Sequence, residues 1–150
     1  MTQEQRIKNA ETLIAYMRKF PKTFNMEHIA RSENKANLSP KEAKHAIETN
    51  ECGSSCCIVG YIGALIAEEI RSESITTLDV KHYLNLELDL MYALFFTGVM
   101  YRREHLHHFP KRHNIVSSDV EVAAEAIMIA VKLQNERENA PYPQEQNNDN

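Results

Sequence analysis

The longest apolar stretch of the chain, Cys56 to Ala67, restricts the possible folds more than any other feature. Its twelve residues contain no charge and include two glycines, Gly60 and Gly63. A transmembrane helix needs about 20 apolar residues, so the stretch predicts a buried helix rather than a membrane span. Because glycine inside a helix costs about 1 kcal/mol relative to alanine, the two glycines indicate a close contact, expected to be with a neighbouring helix.

Capping signals and the helical spacing of apolar residues divide the rest of the chain into helices. Predicted helix starts lie at Thr2–Gln5, Ser39–Glu42, Thr76–Asp79 and Ser118–Glu121. No segment alternates apolar and polar residues as a half-buried strand does. The predicted fold class is therefore all-α, a compact bundle of about six helices around a buried central helix. That helix is expected to cover about residues 55–71, with Ser54 or Ser55 as its cap.

Residue types also predict three local features. The first helix ends before Pro21, and its apolar face is predicted to carry Ile7, Ala10, Leu13, Ile14, Met17 and Phe20. Asn25 is predicted to begin one helical turn that continues through Ala30. Asn85 is predicted to break two helices apart, because asparagine tolerates left-handed backbone geometry.

Length and charge indicate one acidic domain. The chain has 150 residues and a formal net charge of -4, which argues against a general nucleic-acid binder. Residues 1–134 are predicted to form one helical domain, followed by a disordered polar tail at 135–150. The polar start of the sequence lacks the apolar core of a signal peptide. With three cysteines, an odd number, the chain is predicted to be cytoplasmic with free thiols rather than a Cys52–Cys57 disulfide.

Several short motifs together resemble a family of small, mostly uncharacterised proteins of bacteriophages and prophages. That family's pattern is roughly F-D-M, then C-G-T-x-x-C-I-A-G-W, then L-G-L with a following A-x-x-L-F helix. The matching residues are Phe24-Asn25-Met26, Cys52 to Tyr61, Leu84-Asn85-Leu86 and Ala93-Leu94-Phe95. The resemblance covers about residues 13–131, with residues 31–50 as an apparent insertion.

Departures of the chain from the family pattern include Ser54 for threonine, Val59 for alanine, Tyr61 for tryptophan and Asn85 for glycine. The resemblance implies a phage or prophage origin, and therefore the cytoplasm of a host cell. It also implies that the Cys52–Cys57 pair helps to place the start of the central helix. It brings no established activity.

A cysteine nucleophile is one candidate site. Cys56 or Cys57 is predicted to lie in the first turn of the central helix, where the helix dipole stabilises a thiolate. A histidine such as His105 would have to serve as the base. The alternative is that both cysteines are small buried hydrophobic residues, which is the more frequent role of cysteine in an apolar helix.

An anion site is the second candidate at the same helix start. Gly53, Ser54 and Ser55 offer N–H and hydroxyl donors that suit a phosphate, and Arg102 and Arg103 could add positive charge. The run is not a Walker motif, because no G-K-[ST] follows. The alternative is that Ser54 only satisfies the donors of the first helical turn.

A zinc site is the third candidate, with Cys52, Cys57, His107 and His108 as potential ligands. Their spacings fit zinc poorly, since the cysteines do not form a C-x-x-C pair. We expect no metal and no cofactor.

The favoured function is a small phage-type helical binding or inhibitor protein that acts on a host protein or sequesters a small anionic, nucleotide-like ligand. The alternative is a cysteine-dependent hydrolase or transferase that uses Cys57 or Cys56. Leu88, Tyr92 and Phe96 could form an exposed apolar stripe, so a homo-oligomer is a further expectation.

Overall fold

The computed structural model describes residues 1–26, 28–70, 73–95 and 119–140. Within those ranges the protein is mainly α-helical, as predicted, with a small two-stranded antiparallel sheet that was not predicted. The helices are α1 (Gln3–Lys19), α2 (Pro40–Glu48), α3 (Ile58–Leu65), α4 (Thr77–Leu84), α5 (Leu88–Phe95) and α6 (Val120–Asn139). The strands are β1 (Ala30–Arg31) and β2 (Ser55–Cys56).

Helix α1 begins where the sequence predicts. The Thr2 hydroxyl accepts a hydrogen bond from the Gln5 N–H at 3.1 Å, and the helix ends at Lys19, before Pro21. The predicted apolar face was wrong at one position. Ile7 is 37% exposed, whereas Arg6 beside it is completely buried. The buried guanidinium bonds to polar groups of two other segments, residues 84–85 and α6, which local spacing does not reveal.

Helix α2 has the predicted capping box. The Ser39 hydroxyl accepts from the Glu42 N–H at 3.2 Å, and the Glu42 carboxylate accepts from the Ser39 N–H at 3.1 Å. Pro40 occupies the first turn, where its missing N–H is not needed. The Lys35 ammonium, with Ser39, lowers the pKa of Glu42 to about 2.

The helical turn predicted from Asn25 to Ala30 is wrong. Ala30 lies in β1, which pairs antiparallel with β2 in the register Ala30 to Cys56. The Asn25 N–H donates to the Cys56 carbonyl at 2.9 Å, and the Cys56 N–H donates to the Thr23 carbonyl at 2.8 Å. The backbone groups of this region are therefore satisfied across the fold, so no local helical turn is needed.

The central helix, α3, is shorter than the predicted range of about residues 55–71. It covers Ile58–Leu65, and every residue from Ile58 to Ala64 is buried. Because Ser55 and Cys56 are held extended in β2, the helix cannot begin before Cys57, which is its N-cap. Beyond Ile66 the chain continues through hydrogen-bonded turns.

The prediction that Ser54 or Ser55 caps the central helix is also wrong. Ser55 belongs to β2, and the Ser54 hydroxyl donates to the Glu51 carboxylate at 2.9 Å. Cys57 occupies the cap position with extended backbone geometry and makes no side-chain capping hydrogen bond.

The two glycines of α3 have the expected packing role, but their partners are not helices. A Cβ atom on Gly60 would overlap the backbone carbonyl oxygen of Ile29, just before β1. A Cβ atom on Gly63 would lie 2.7 Å from Cδ1 of Ile75, just before α4. Glycine at these positions therefore lets connecting segments approach the helix closely, with a backbone carbonyl at Gly60 and a side chain at Gly63.

The connection between α4 and α5 follows the prediction. Asn85 has a φ of 49°, the left-handed geometry expected of an asparagine at a helix break. Leu84 and Leu86 on either side are buried, at 0% and 2% exposure.

Helix α6 begins near the predicted cap and ends later than the predicted domain boundary at residue 134. Asp119 is the cap, and its carboxylate accepts from the Glu121 N–H at 2.8 Å, whereas Ser118 lies outside the described residues. The helix continues to Asn139, because Arg137 pairs with Asp89 at 2.7 Å and so anchors the last turns. Within the predicted tail at 135–150, residues 135–139 are thus helical, and residues 141–150 lie outside the described residues.

Candidate functional site

The predicted anion-binding residues lie ahead of the central helix, not in its first turn. Gly53 forms a turn with a φ of 82°, close to the Glu33 side chain. Ser54 is bonded to Glu51 through both its hydroxyl and its N–H, and Ser55 lies in β2. A carboxylate beside these donors repels an anion. Arg102 and Arg103 lie outside the described residues.

The two candidate nucleophiles are buried thiols. Cys56 is 0% and Cys57 4% exposed, and burial raises the pKa of Cys56 to about 12. Burial also raises the pKa of Cys57, although hydrogen bonds from the backbone N–H groups of Gly60 and Val59 lower it in part. Reactive cysteines are partly exposed and have a lowered pKa, so this environment favours the structural alternative. The proposed base, His105, lies outside the described residues.

The candidate zinc ligands Cys52 and Cys57 differ in solvent exposure. Cys52 is exposed and Cys57 is buried, and both are free thiols. In the ranges that the structure describes, no group of three or more histidine, cysteine, aspartate or glutamate side chains could hold a metal ion. His107 and His108 lie outside those ranges.

The burial of the thiols predicts a large difference in alkylation rate. In native protein at neutral pH, we expect iodoacetamide to modify Cys52 at least about 100-fold faster than Cys56 or Cys57, because the buried thiols react only after local opening. Peptide mass spectrometry over time measures each rate, and denatured protein, in which all three should react alike, is the control. Rapid native modification of Cys57 would instead favour the cysteine enzyme.

Tyr61 packs α3 against the end of α1 and the segment that follows it. Its ring is fully buried, and its hydroxyl lies 2.8 Å from the Thr23 hydroxyl. The ring centroids of Tyr16 and Phe24 both lie 5.8 Å from that of Tyr61, in edge-to-face arrangements. Burial raises the pKa of Tyr61 to about 12. This tyrosine is a packing residue rather than a general acid or base.

Arg6 is the most extensively bonded residue that the sequence prediction missed. Its Nε donates to the Leu84 carbonyl at 2.9 Å, and its Nη2 donates to the Asn85 carbonyl at 3.2 Å and pairs with Glu138. It therefore closes the C-terminal end of α4 with a positive charge and ties α1 to α6. One signal was available, since Arg6 precedes Ala10 by four residues and so shares its buried face.

The strongest candidate for a functional surface is a groove between α1 and α6, which we call the α1–α6 groove. Its volume is about 440 Å³. Its apolar lining consists of Ile14, Ala15, Ala124 and Met128, and its charged lining of Glu11, Arg18, Glu121 and Glu125. Both Arg18 Nε and Nη2 donate to the Glu121 carboxylate at 2.9 Å. This bidentate pair joins the two helices across the groove.

A second hollow lies between α1, α2 and the end of α3. Its volume is about 420 Å³, and its lining consists of Tyr16, Lys19, Phe20, Lys44, Glu48, Ala64 and Leu65. The Tyr16 hydroxyl donates to Glu48 at 3.3 Å, and the Lys19 ammonium lies 5.3 Å from the centre of the Phe20 ring. The hollow therefore carries charges of both signs. Two of them, on Glu48 and Lys19, already have partners within the hollow.

Comparisons of the chain with models of protein families, with curated proteins and with solved structures found no match. In the described part of the chain, no helix combines the length and apolar character that crossing a membrane requires.

Proposed function

We propose that this protein is a small helical binding protein that acts by occupying a host protein, and that the α1–α6 groove is its contact surface. The groove supports the proposal because it joins an apolar floor to a charged border on the two longest described helices. Protein-binding surfaces have this anatomy, with an apolar centre and a polar rim. Met128 is 37% exposed, and methionine adapts its shape to different partners.

The competing functions have less support from the described residues. A small anionic ligand would meet the carboxylates of the groove or, at the predicted helix start, the carboxylates of Glu33 and Glu51. A cysteine hydrolase or transferase would need an accessible thiolate, whereas Cys56 and Cys57 are buried. Protein binding without catalysis is therefore the function that we favour.

The cellular location proposed for this activity follows from the sequence resemblance alone. The resemblance to phage and prophage proteins supports a viral origin, and hence action in the host cytoplasm as an inhibitor. We also propose that the helices form a bundle around α3 that serves as a rigid scaffold. Of the apolar stripe predicted from Leu88, Tyr92 and Phe96, Leu88 is 54% exposed, whereas the Tyr92 side chain and Phe96 lie outside what the structure describes. A homo-oligomer through this stripe stays an alternative proposal.

Site-specific photo-crosslinking tests the proposed surface. Replacing Ala15, in the groove, by a photoreactive phenylalanine derivative should crosslink a defined host protein in bacterial cells. The same replacement at Ala36, an exposed alanine outside the groove, is the matched control and should give no such product. The purified partner should then bind at least about tenfold more weakly to Ala15→Arg than to Ala36→Arg. Equal effects at the two alanines would refute the groove as the contact surface.

A further inference from the structure

Helices α4 and α5 meet at a sharp bend, residues 84–87, which we call the α4–α5 corner. Each of the two helices has eight residues. A helix shorter than about 12 residues is marginal in water by itself, so both depend on contacts with the rest of the protein. Their apolar contacts come from buried side chains such as Leu84, Leu86 and Leu90. The backbone groups at the corner need polar partners as well.

Side chains of α1 satisfy the carbonyls at the end of α4. Arg6 donates from Nε to the Leu84 carbonyl at 2.9 Å and from Nη2 to the Asn85 carbonyl at 3.2 Å. Asn9 donates from Nδ2 to the Tyr83 carbonyl at 2.8 Å. Three consecutive carbonyls, which have no partner within a helix that ends here, are therefore capped from a different helix.

Side chains of α6 hold the start of α5 in a similar way. The N–H of Glu87, the residue before α5, donates to Oε1 of Gln134 at 2.7 Å. The Gln134 side chain belongs to a residue that is only 5% exposed, so the amide takes the place of water as the partner of that N–H. Arg137 lies three residues further along α6 and donates from Nη2 to the Asp89 carboxylate at 2.7 Å.

The contacts from α1 and α6 are connected to each other. Gln134 donates from Nε2 to Oε1 of Glu138 at 3.3 Å, and Arg6 pairs with the same carboxylate oxygen. Hydrogen bonds therefore run from the Glu87 N–H through three side chains to the Leu84 carbonyl, and they close a ring around the corner. We call Arg6, Gln134 and Glu138 the corner ring. Bonds in such a chain strengthen one another, so the loss of one weakens the others.

We infer that the corner ring is a conformational device through which the last turns of α6 control the opening of the α4–α5 corner. With the ring intact, α4 and α5 stay packed. With the ring broken, they open together as one unit while α2 and α3 remain folded, as regions of low local stability do. The inference is independent of the proposed function, because no residue of the corner ring lines the α1–α6 groove.

Amide hydrogen exchange of the full chain, measured residue by residue by nuclear magnetic resonance, tests this inference. Gln134→Met keeps an unbranched side chain of similar length and high helix propensity, and it removes both hydrogen bonds of the glutamine. Exchange at the N–H groups of Asn85, Glu87 and Met91 should become at least about tenfold faster. Exchange in α2 and α3 should change by less than about twofold.

Glu136→Gln is the matched control on the same helix. It removes only an exposed ion pair with Lys132, at 3.9 Å, and should change exchange by less than about twofold throughout the chain. Glu138→Gln is a milder break of the corner ring, because it keeps an acceptor and loses the charge. It should accelerate exchange at the corner about threefold, and it decides the question if Gln134→Met does not fold.

Two outcomes would overturn the inference. Equal acceleration in every helix would show that the corner ring contributes only to global stability. Unchanged exchange at the corner in both ring variants would show that apolar packing alone holds α4 and α5 in place.

Discussion

Replacing Gly60 by alanine is expected to lower the free energy of unfolding by about 3 kcal/mol. The added Cβ would overlap the carbonyl oxygen of Ile29, which also accepts a hydrogen bond from the Cys57 N–H at 3.1 Å. Because that oxygen belongs to the backbone just before β1, it can move only if the pairing of β1 with β2 is disturbed. The usual gain of about 1 kcal/mol for alanine over glycine in a helix cannot offset this overlap.

Gly63→Ala is the matched control for Gly60→Ala in the same helix. The three atoms nearest to its Cβ would be side-chain atoms of Ile75, at 2.7 to 2.8 Å, and a side chain can shift with less disturbance than a backbone carbonyl. We expect a loss of no more than about 1 kcal/mol, and Ile75→Val should cost less in the Gly63→Ala background than in the wild type. Urea unfolding followed by circular dichroism measures the wild type and the four variants. Equal losses at the two glycines would contradict the close backbone contact at Gly60.

Replacing Arg6 by methionine is expected to cost about 3 kcal/mol, although methionine fills a similar apolar volume. The change removes the donors from the carbonyl of the buried Leu84, 2.9 Å from Nε, and from the carbonyl of the exposed Asn85, 3.2 Å from Nη2. It also leaves Glu138 without its cationic partner. An unsatisfied buried acceptor costs more than the bond itself contributes, so the loss should exceed that of an ordinary ion pair.

Arg18→Met provides the control for Arg6→Met, since it removes an arginine of the same helix that also pairs with a carboxylate. Arg18 and Glu121 are 55% and 66% exposed, and exposed pairs contribute at most about 1 kcal/mol. Chemical unfolding is measured for Arg18→Met, for Arg6→Met, for Glu138→Gln and for the double variant that combines the last two changes. The comparison separates the contribution of the buried hydrogen bonds from that of the ion pair. The double variant should lose less than the sum of its single changes. A loss for Arg6→Met no larger than for Arg18→Met would show that the buried bonds are not stabilising.

Features that depend on near neighbours in the chain were predictable from the sequence. The caps at Thr2 and Ser39 and the left-handed break at Asn85 were predicted correctly. Each depends on a residue type and on groups within about four positions, so residue order contains the necessary information. The burial of the apolar run was also predictable, because its composition permits no exposed face.

Sites assembled from distant parts of the chain were not predictable in the same way. The sequence did not reveal the Arg6 contacts with Leu84 and Glu138, or the α1–α6 groove, because these depend on how separate helices pack. For the thiols, the sequence left open whether Cys57 was an exposed nucleophile or a buried hydrophobic residue. Its 4% exposure was decided by the segments folded over it.

The amino-acid sequence by itself determined that this protein is mainly helical, where α1 and α2 begin, and which apolar run is buried. Only the tertiary structure decided that the central helix starts at Cys57 rather than near residue 55, that Ala30 lies in a strand, and that two helices enclose a groove. The physical reason is the range of the interactions. Capping and helical periodicity act within a few residues, whereas strand pairing and groove formation join segments that the chain order keeps far apart.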